Sequence, residues 1–198
     1  TGALSIQIAT NFINDASDFL RGADTEERLG PKRMAQSGLL TPRSLFIAAG
    51  ICFFIACGAG AYLISQAGMP ILWIGIASIL CAIAYTAGPF PLAYYGLGDL
   101  FVFIFFGIIA VCGTYYAHAH SLRPAVILSS IIIGLHGVAL IAVNNTRDIP
   151  TDTKVGKKTL AVRMGAYTSK IYYAFIIMIP FLCLFYFSLN SKIKECLF

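Results

Sequence analysis

An acidic segment near the start of the chain has side chains suited to metal binding. Asn11 and Asp15 are four residues apart. Asn14 and Asp18 are also four apart, and Asp15 and Asp18 are three apart. Residues at these spacings share one face of an α-helix. A helix that continues through this segment therefore presents two carboxylates and two amides on one side, and Asp24 follows shortly after.

A second segment of the same character lies far along the chain. It begins with Asn144 and Asn145, and both Asn144 and Asp152 lie four residues from Asp148. The spacing again predicts one helical face, although the proline between the two aspartates is able to end or bend the helix. Arg147 adds a cation beside the first of these carboxylates.

These carboxylates favour magnesium and diphosphate chemistry. Acidic groups at the end of a membrane helix are costly unless a partner compensates them. Mg²⁺ prefers one or two carboxylates together with waters and substrate phosphate oxygens. Two such segments facing each other could hold two Mg²⁺ ions with a diphosphate between them. Four nearby cations suit the remaining phosphate charge: Lys32, Arg33, Lys157 and Lys158.

The rest of the chain is suited to a lipid environment. It is 58% hydrophobic and 12% charged, with a mean hydropathy of +0.79, whereas soluble domains carry about 25% charged residues. No charged residue occurs from Ser44 to Gly98. Crossing a bilayer takes about 20 helical residues, and long apolar runs are unlike the alternating pattern of a membrane barrel. The prediction is an all-α, polytopic transmembrane helix bundle with five complete spans, at 44–66, 69–88, 100–117, 124–143 and 171–189.

The same pattern predicts the domain organisation and the topology. Residues 1–198 form a single transmembrane domain with two polar loops, 14–43 and 144–170. The apolar opening, 1–13, is too short to span alone, so we expect it to be the second half of a helix whose start is missing. Of the 14 Lys and Arg, most lie in the two polar loops. An even number of spans separates these loops, so the positive-inside rule places both on the cytoplasmic side of an inner or plasma membrane.

Other interpretations of these features are weaker. Asp and Asn are common helix caps, and charged loops are often only solvated, but two similar segments on one face argue against this. An ion-coupled transporter would hold acids near the bilayer midplane, whereas the predicted spans contain no acid and only one histidine, His136. A lone membrane histidine is more often packed or hydrogen-bonded than functional. The six cysteines form no CxxC pair, which favours packing over metal or disulfide roles.

At these residues the sequence resembles the UbiA superfamily of intramembrane aromatic prenyltransferases. Three blocks carry the resemblance and span residues 11 to 165. They are Asn14-Asp15-x-x-Asp18 through Arg28-x-Gly30-Pro31-x-Arg33, Tyr85-Thr86-x-Gly88-Pro89 through Gly98-Asp99, and Asn144-Asn145-x-Arg147-Asp148 through Gly165. The Gly-x-Asp that ends at Asp24, the Gly-Pro-x-Arg and the Tyr-Thr-x-Gly-Pro runs look most like the branch that uses 1,4-dihydroxy-2-naphthoate in menaquinone or phylloquinone synthesis.

The resemblance implies a fold and a reaction. The fold is a bundle of nine membrane helices around a cavity capped by two aspartate-rich loops. This chain holds about five complete spans and one partial span, and is expected to be truncated at both ends. The reaction transfers a polyprenyl or phytyl group from its diphosphate to 1,4-dihydroxy-2-naphthoate with loss of CO2, giving a demethylmenaquinone-type product. The expected partners are these two substrates and membrane lipid, with no nucleic acid.

The resemblance also implies roles for the polar residues. The catalytic set that would hold Mg²⁺ is Asp15, Asp18, Asp148 and Asp152, with Asp24 as a further ligand or support. The residues that would orient the ligands or the phosphate oxygens are Asn11, Asn14, Asn144 and Asn145. The residues expected to contact phosphate directly are Arg33, Arg147 and Lys157.

The reaction implied needs a dry and electron-rich pocket, because diphosphate loss leaves an allylic cation. Aromatic side chains could supply it through cation–π contact: Tyr85, Phe101, Phe105, Tyr115 and Tyr116. Asp99 could assist proton removal or could equally serve the start of its helix. Two alternatives stay open, a family enzyme with another aromatic acceptor and a non-catalytic membrane binding protein of the same fold.

Overall fold

The computed structural model describes residues 1–23 and 30–189, with side chains as far as 185. These residues form seven helices and no strand, which confirms the all-α prediction. The helices are α1 (Gly2–Leu20), α2 (Pro42–Ala67), α3 (Met69–Ala84), α4 (Gly98–Ala119), α5 (Pro124–Arg147), α6 (Ile149–Lys154) and α7 (Leu160–Leu189). A short 3₁₀ turn, Leu92–Tyr95, lies between α3 and α4.

Four of the helices in the described part of the chain are long and apolar enough to cross a bilayer: α2, α4, α5 and α7. Large apolar side chains cover their outer surfaces, with Phe54 80% and Leu140 72% exposed, as expected where a protein faces lipid. The helix at the predicted fifth span, 69–88, is shorter than expected. α3 ends at Ala84 after 16 apolar residues, somewhat fewer than the 20 or so of a full span. Counted with α3, four helices still separate the two acidic segments.

Local signals set the ends of the helices. Thr41 caps α2, since its hydroxyl accepts a hydrogen bond from the Ser44 N–H at 3.2 Å, and Pro42 occupies the first helical position. Gly68, with a φ of 78°, turns the chain from α2 into α3. α7 begins inside the predicted second loop and is broken at Gly165, where φ is 79° and ψ is 164°.

α1 carries the first acidic segment into the bundle. The helix runs unbroken to Leu20, so the predicted continuation through Asp18 is confirmed. α1 packs along α2, where Ala9, Ile13 and Ala49 are buried together. The first acidic segment is therefore held against the bundle by its own helix.

α4 and α5 meet at two glycines. A Cβ on Gly107 would lie 2.6 Å from Gly134 Cα and 2.6 Å from the Ser130 carbonyl oxygen. Small residues allow such close approach between membrane helices. Phe103–Ile109, which includes one of these glycines, is π-helical, and this wide turn is common near functional sites.

Candidate active site

Both acidic segments line one cavity of about 500 Å³, a size typical of small-molecule sites. The two segments therefore lie at the same end of the bundle, as the even number of crossings predicted. The cavity brings together these predicted site residues: Asn14, Asp18, Arg33, Asn144, Asn145, Arg147, Asp148, Asp152 and Lys157.

Asp18 is the centre of the first acidic side and is 3% exposed. Its Oδ1 accepts a hydrogen bond from the Tyr94 hydroxyl at 3.0 Å, and its Oδ2 lies 3.3 Å from Nη2 of Arg33. Beside it, Asn14 Oδ1 accepts a hydrogen bond from the Thr86 hydroxyl at 2.5 Å. The burial of this charge is compensated by one cation and one hydroxyl donor.

Asp152 is the most deeply placed carboxylate on the second side. Its Oδ1 lies 3.5 Å from Lys157 Nζ, but its buried Oδ2 has no hydrogen-bond partner among the described residues. Burial raises the pKa of Asp152, although the Lys157 charge opposes this shift. Asp148, in turn, accepts two hydrogen bonds from the neighbouring Arg147 guanidinium, at 2.7 and 2.8 Å.

These groups fit a divalent cation that is shared with a phosphate ligand. The unpartnered Oδ2 of Asp152 is a hard oxygen donor, and Asp18 and Asp148 supply further carboxylates to the same cavity. The described residues contain no group of three or more His, Cys, Asp or Glu that could hold a metal alone. Mg²⁺ needs only one or two carboxylates when substrate phosphates complete its coordination. The arrangement therefore suits a metal diphosphate better than an all-protein metal centre.

The loop between α3 and α4, here called the bridging loop (residues 85–97), connects the two acidic sides. Tyr94 donates its hydroxyl to Asp18, and its ring lies 5.1 Å from the Arg21 guanidinium and 5.5 Å from Lys157 Nζ. Burial, followed by the Asp18 charge, raises the pKa of Tyr94. The phenol thus stays protonated and remains a donor to the carboxylate.

Hydrogen bonds to two backbone carbonyls hold the bridging loop against the chain that follows the second acidic segment. The Tyr94 carbonyl accepts a hydrogen bond from the Lys158 N–H at 2.9 Å, and Arg163 donates to the Tyr95 carbonyl at 2.9 Å. Gly96 has a φ of 75°, and a Cβ there would lie 3.0 Å from the Lys158 carbonyl oxygen. A side chain at this position would be strained by its backbone angle and crowded by backbone.

The UbiA prenyltransferase family model matches residues 1–193 of this sequence. The chain belongs to the UbiA prenyltransferase family. Its second sequence block, which residue chemistry alone did not mark as functional, forms the bridging loop of this family member. Reasoning from the acidic segments alone missed two site residues, Tyr94 and Thr86. Both lie in the second sequence block, so the resemblance of that block to the family could have identified them.

Three relatives show the extent of the similarity. The 1,4-dihydroxy-2-naphthoate octaprenyltransferase of Haemophilus influenzae is 39% identical over 195 residues, which cover 96% of this chain and 63% of that protein. The Escherichia coli protein of the same name is 38% identical, over 94% of this chain and 62% of its own length. UbiA prenyltransferase domain-containing protein 1 of Dictyostelium discoideum is 32% identical, over 96% of this chain and 59% of its own length. The chain thus spans about three fifths of these relatives. No solved structure matches it.

Two of the predicted site residues that the structure describes do not line the cavity of this UbiA family member. Asp15 is 8% exposed, and its two oxygens accept hydrogen bonds from the N–H of Met34 at 3.0 Å and of Ala35 at 3.2 Å. Asn11 is exposed on α1. Asp24 lies outside the described residues.

The aromatic residues predicted for the pocket do not all line the cavity. Tyr85 lines the cavity, whereas the Phe101 and Phe105 rings stack on each other at 6.1 Å between centroids. Tyr115 and Tyr116 lie further along α4 and are not lining residues. The one histidine inside the predicted spans, His136, makes a 2.8 Å hydrogen bond to the Ile132 carbonyl, in keeping with the structural role expected of it.

Proposed function

We propose that this protein uses Mg²⁺ to transfer a polyprenyl or phytyl group from its diphosphate to 1,4-dihydroxy-2-naphthoate, with loss of CO2. The product would be of the demethylmenaquinone type. The observation that carries the proposal is the single cavity in which two distant acidic segments and their cations converge. Such a mixture of hard oxygen ligands and basic groups suits a metal-bound diphosphate.

The donor end of the proposed site follows from charge. Arg33, Arg147 and Lys157 line the cavity and would contact the diphosphate oxygens. Mg²⁺ held by Asp18, Asp148 and Asp152 would neutralise the negative charge that develops on the leaving diphosphate. The amides of the two segments would orient the phosphate, because they line the same space.

Bond formation requires protection of the allylic cation from water. Tyr85 and Ile141 contribute an aromatic face and an apolar side chain to the cavity wall, which suit this need. The ring carbon that bears the acceptor carboxylate would then form a bond to the allylic carbon. The bond to the carboxylate would break, and CO2 would leave.

The acceptor is proposed from the relatives. Five bacterial relatives named 1,4-dihydroxy-2-naphthoate octaprenyltransferase are 35% to 39% identical. The relatives named UbiA prenyltransferase domain-containing protein 1, or its homolog, are 28% to 32% identical. This difference favours the naphthoate over another aromatic acceptor.

We also propose that both acidic segments face the cytoplasm. They lie at the same end of a multi-pass membrane protein, and most Lys and Arg of the chain accompany them. The positive-inside rule places such loops on the cytoplasmic side. The water-soluble acceptor and the diphosphate head group would then be taken from that side.

The test is prenyl transfer in membranes that carry the protein, with labelled prenyl diphosphate and 1,4-dihydroxy-2-naphthoate. We expect product that disappears with a chelator, returns with Mg²⁺ and is strongly reduced in Asp152→Asn. Product formed from 4-hydroxybenzoate but not from the naphthoate would refute the proposed acceptor. Donor binding without any transfer, and unchanged in Asp152→Asn, would instead support a binding protein.

A further inference from the structure

A third buried carboxylate lines the cavity and, unlike Asp18 and Asp152, is not used by the diphosphate chemistry. Asp99 lies in the first turn of α4 and is 7% exposed. Its Oδ1 accepts a hydrogen bond from the Tyr172 hydroxyl at 3.4 Å. Its Oδ2 is buried and has no partner within the described part of the chain. Unpartnered buried polar atoms are uncommon in native proteins, and each calls for an explanation.

The surroundings of Asp99 do not suit a phosphate. Across the described residues, no ion pair joins it to a basic side chain. A phosphate would be repelled by a carboxylate that no cation offsets. The ligand that fits the free oxygen is therefore a neutral hydrogen-bond donor.

The wall beside Asp99 contains an aromatic and an apolar side chain that pack against Gly98. At the preceding residue, Gly98, a Cβ would lie 3.1 Å from the Tyr85 hydroxyl and 3.4 Å from Ile141 Cδ1. All four residues line the cavity. A ring packed on this aromatic and apolar wall would bring its hydroxyl group toward the carboxylate.

We propose that Asp99 Oδ2 accepts the proton of the acceptor's ring hydroxyl, at the position next to the reacting carbon. The inference rests on the proposed function. As the ring carbon bonds to the allylic carbon, the O–H bond breaks, its electron pair forms a carbonyl and Asp99 takes the proton. Loss of CO2 then returns an electron pair to the ring. The ring oxygen takes the proton back from Asp99, so the carboxylate is unchanged after each turnover.

The physical reason for this step is the electron density of the ring. A hydroxyl that gives up its proton during attack makes the neighbouring carbon a stronger nucleophile, and a positioned general base contributes about 10²- to 10⁴-fold to rate. Tyr172 acts as a positioning residue, because its hydroxyl occupies Oδ1 and leaves Oδ2 for the acceptor. The low dielectric of the buried site strengthens both hydrogen bonds.

The experiment compares wild type, Asp99→Asn and Tyr172→Phe on 1,4-dihydroxy-2-naphthoate and on ring-halogenated analogues whose hydroxyl groups are more acidic. We expect Asp99→Asn to lower kcat with the parent acceptor by about 10²- to 10⁴-fold, with the KM for prenyl diphosphate changed less than about twofold. The loss should shrink as the acceptor becomes more acidic, since an ionised hydroxyl needs no base. Tyr172→Phe should show the same trend with a smaller loss.

Two results would overturn the inference. One is wild-type kcat in Asp99→Asn, and the other is an equal loss on every acceptor, which is what a structural role predicts. Asp18→Asn is the matched control, because it should impair donor use to the same extent with all acceptors. If Asp99→Asn does not fold, the acidity trend in Tyr172→Phe decides the matter. Absence of product from wild type on every acceptor would refute the proposed function itself.

Discussion

Replacement of Asp15 by Asn distinguishes a loop anchor from a metal ligand. The carboxylate is 8% exposed and accepts the N–H groups of Met34 at 3.0 Å and Ala35 at 3.2 Å. Asn keeps one acceptor oxygen and turns an NH2 group toward the other N–H. A buried N–H without a partner costs about 1–3 kcal/mol, and loss of charge assistance on the remaining bond costs about 1 kcal/mol. We therefore expect Asp15→Asn to lower the free energy of unfolding by about 2–4 kcal/mol.

The assay is denaturant unfolding of the purified protein in detergent, followed by circular dichroism. Asp148→Asn is the matched control, because Asp148 pairs with a partly exposed arginine at the cavity edge and should cost less than about 1 kcal/mol. In the activity assay, the Mg²⁺ concentration for half-maximal rate should stay unchanged in Asp15→Asn and rise in Asp152→Asn. The reasoning is refuted if Asp15→Asn unfolds like wild type and needs at least about tenfold more Mg²⁺.

Three further predictions follow from other contacts. Tyr94→Phe removes the hydroxyl that donates to Asp18 at 3.0 Å and keeps the ring, so the KM for prenyl diphosphate should rise about tenfold in steady-state kinetics. Gly107→Ala places a Cβ 2.6 Å from backbone atoms of α5 and should lower unfolding free energy by about 1–3 kcal/mol. A cysteine introduced at Arg123, between α4 and α5, should react with a membrane-impermeant thiol reagent from the side opposite to the acidic segments.

Each of these predictions has an outcome that would contradict it, and the glycine substitution also has a control. Gly113→Ala is matched to the α4 substitution, because its Cβ would lie 3.6 Å from the nearest atom and should be tolerated. Equal effects of the two alanines would contradict the close helix contact. A Tyr94→Phe enzyme with wild-type KM would show that the phenol does not support the donor site. Labelling of position 123 from the side of the acidic segments would refute the topology.

Helical spacing predicted much of the site because it acts within one element. Asn14 and Asp18 share a face of α1, and both line the cavity. Asp15 shows the limit of this reasoning, since its partners come from a loop about 20 residues further on. Spacing identifies which side chains are neighbours on a helix, but it contains no information about which distant backbone arrives to bond them.

The helix ends were harder to predict than the apolar runs. Hydropathy stays high beyond Ala84, so a composition window extends the span through Tyr85 and Thr86 to Gly88. Backbone geometry ends the helix earlier, and the residues that follow turn toward the site, where Thr86 bonds Asn14. α7 is longer than the predicted span at 171–189. Its first turns, from Leu160, are helical although their polar composition resembles that of a loop.

The anchors of the bridging loop have a consequence for how the protein is made. A ribosome completes Asp18 early, adds Tyr94 after two further helices, and produces Lys158 and Arg163 only once α5 and α6 have been translated. Until then, the loop is tied to the first acidic segment alone. The cavity is therefore closed late in biogenesis, and a nascent chain arrested after α5 carries a bridging loop without its second set of hydrogen bonds. Membrane quality control would meet such a chain with Asp99 still lacking Tyr172, its hydrogen-bond partner on α7.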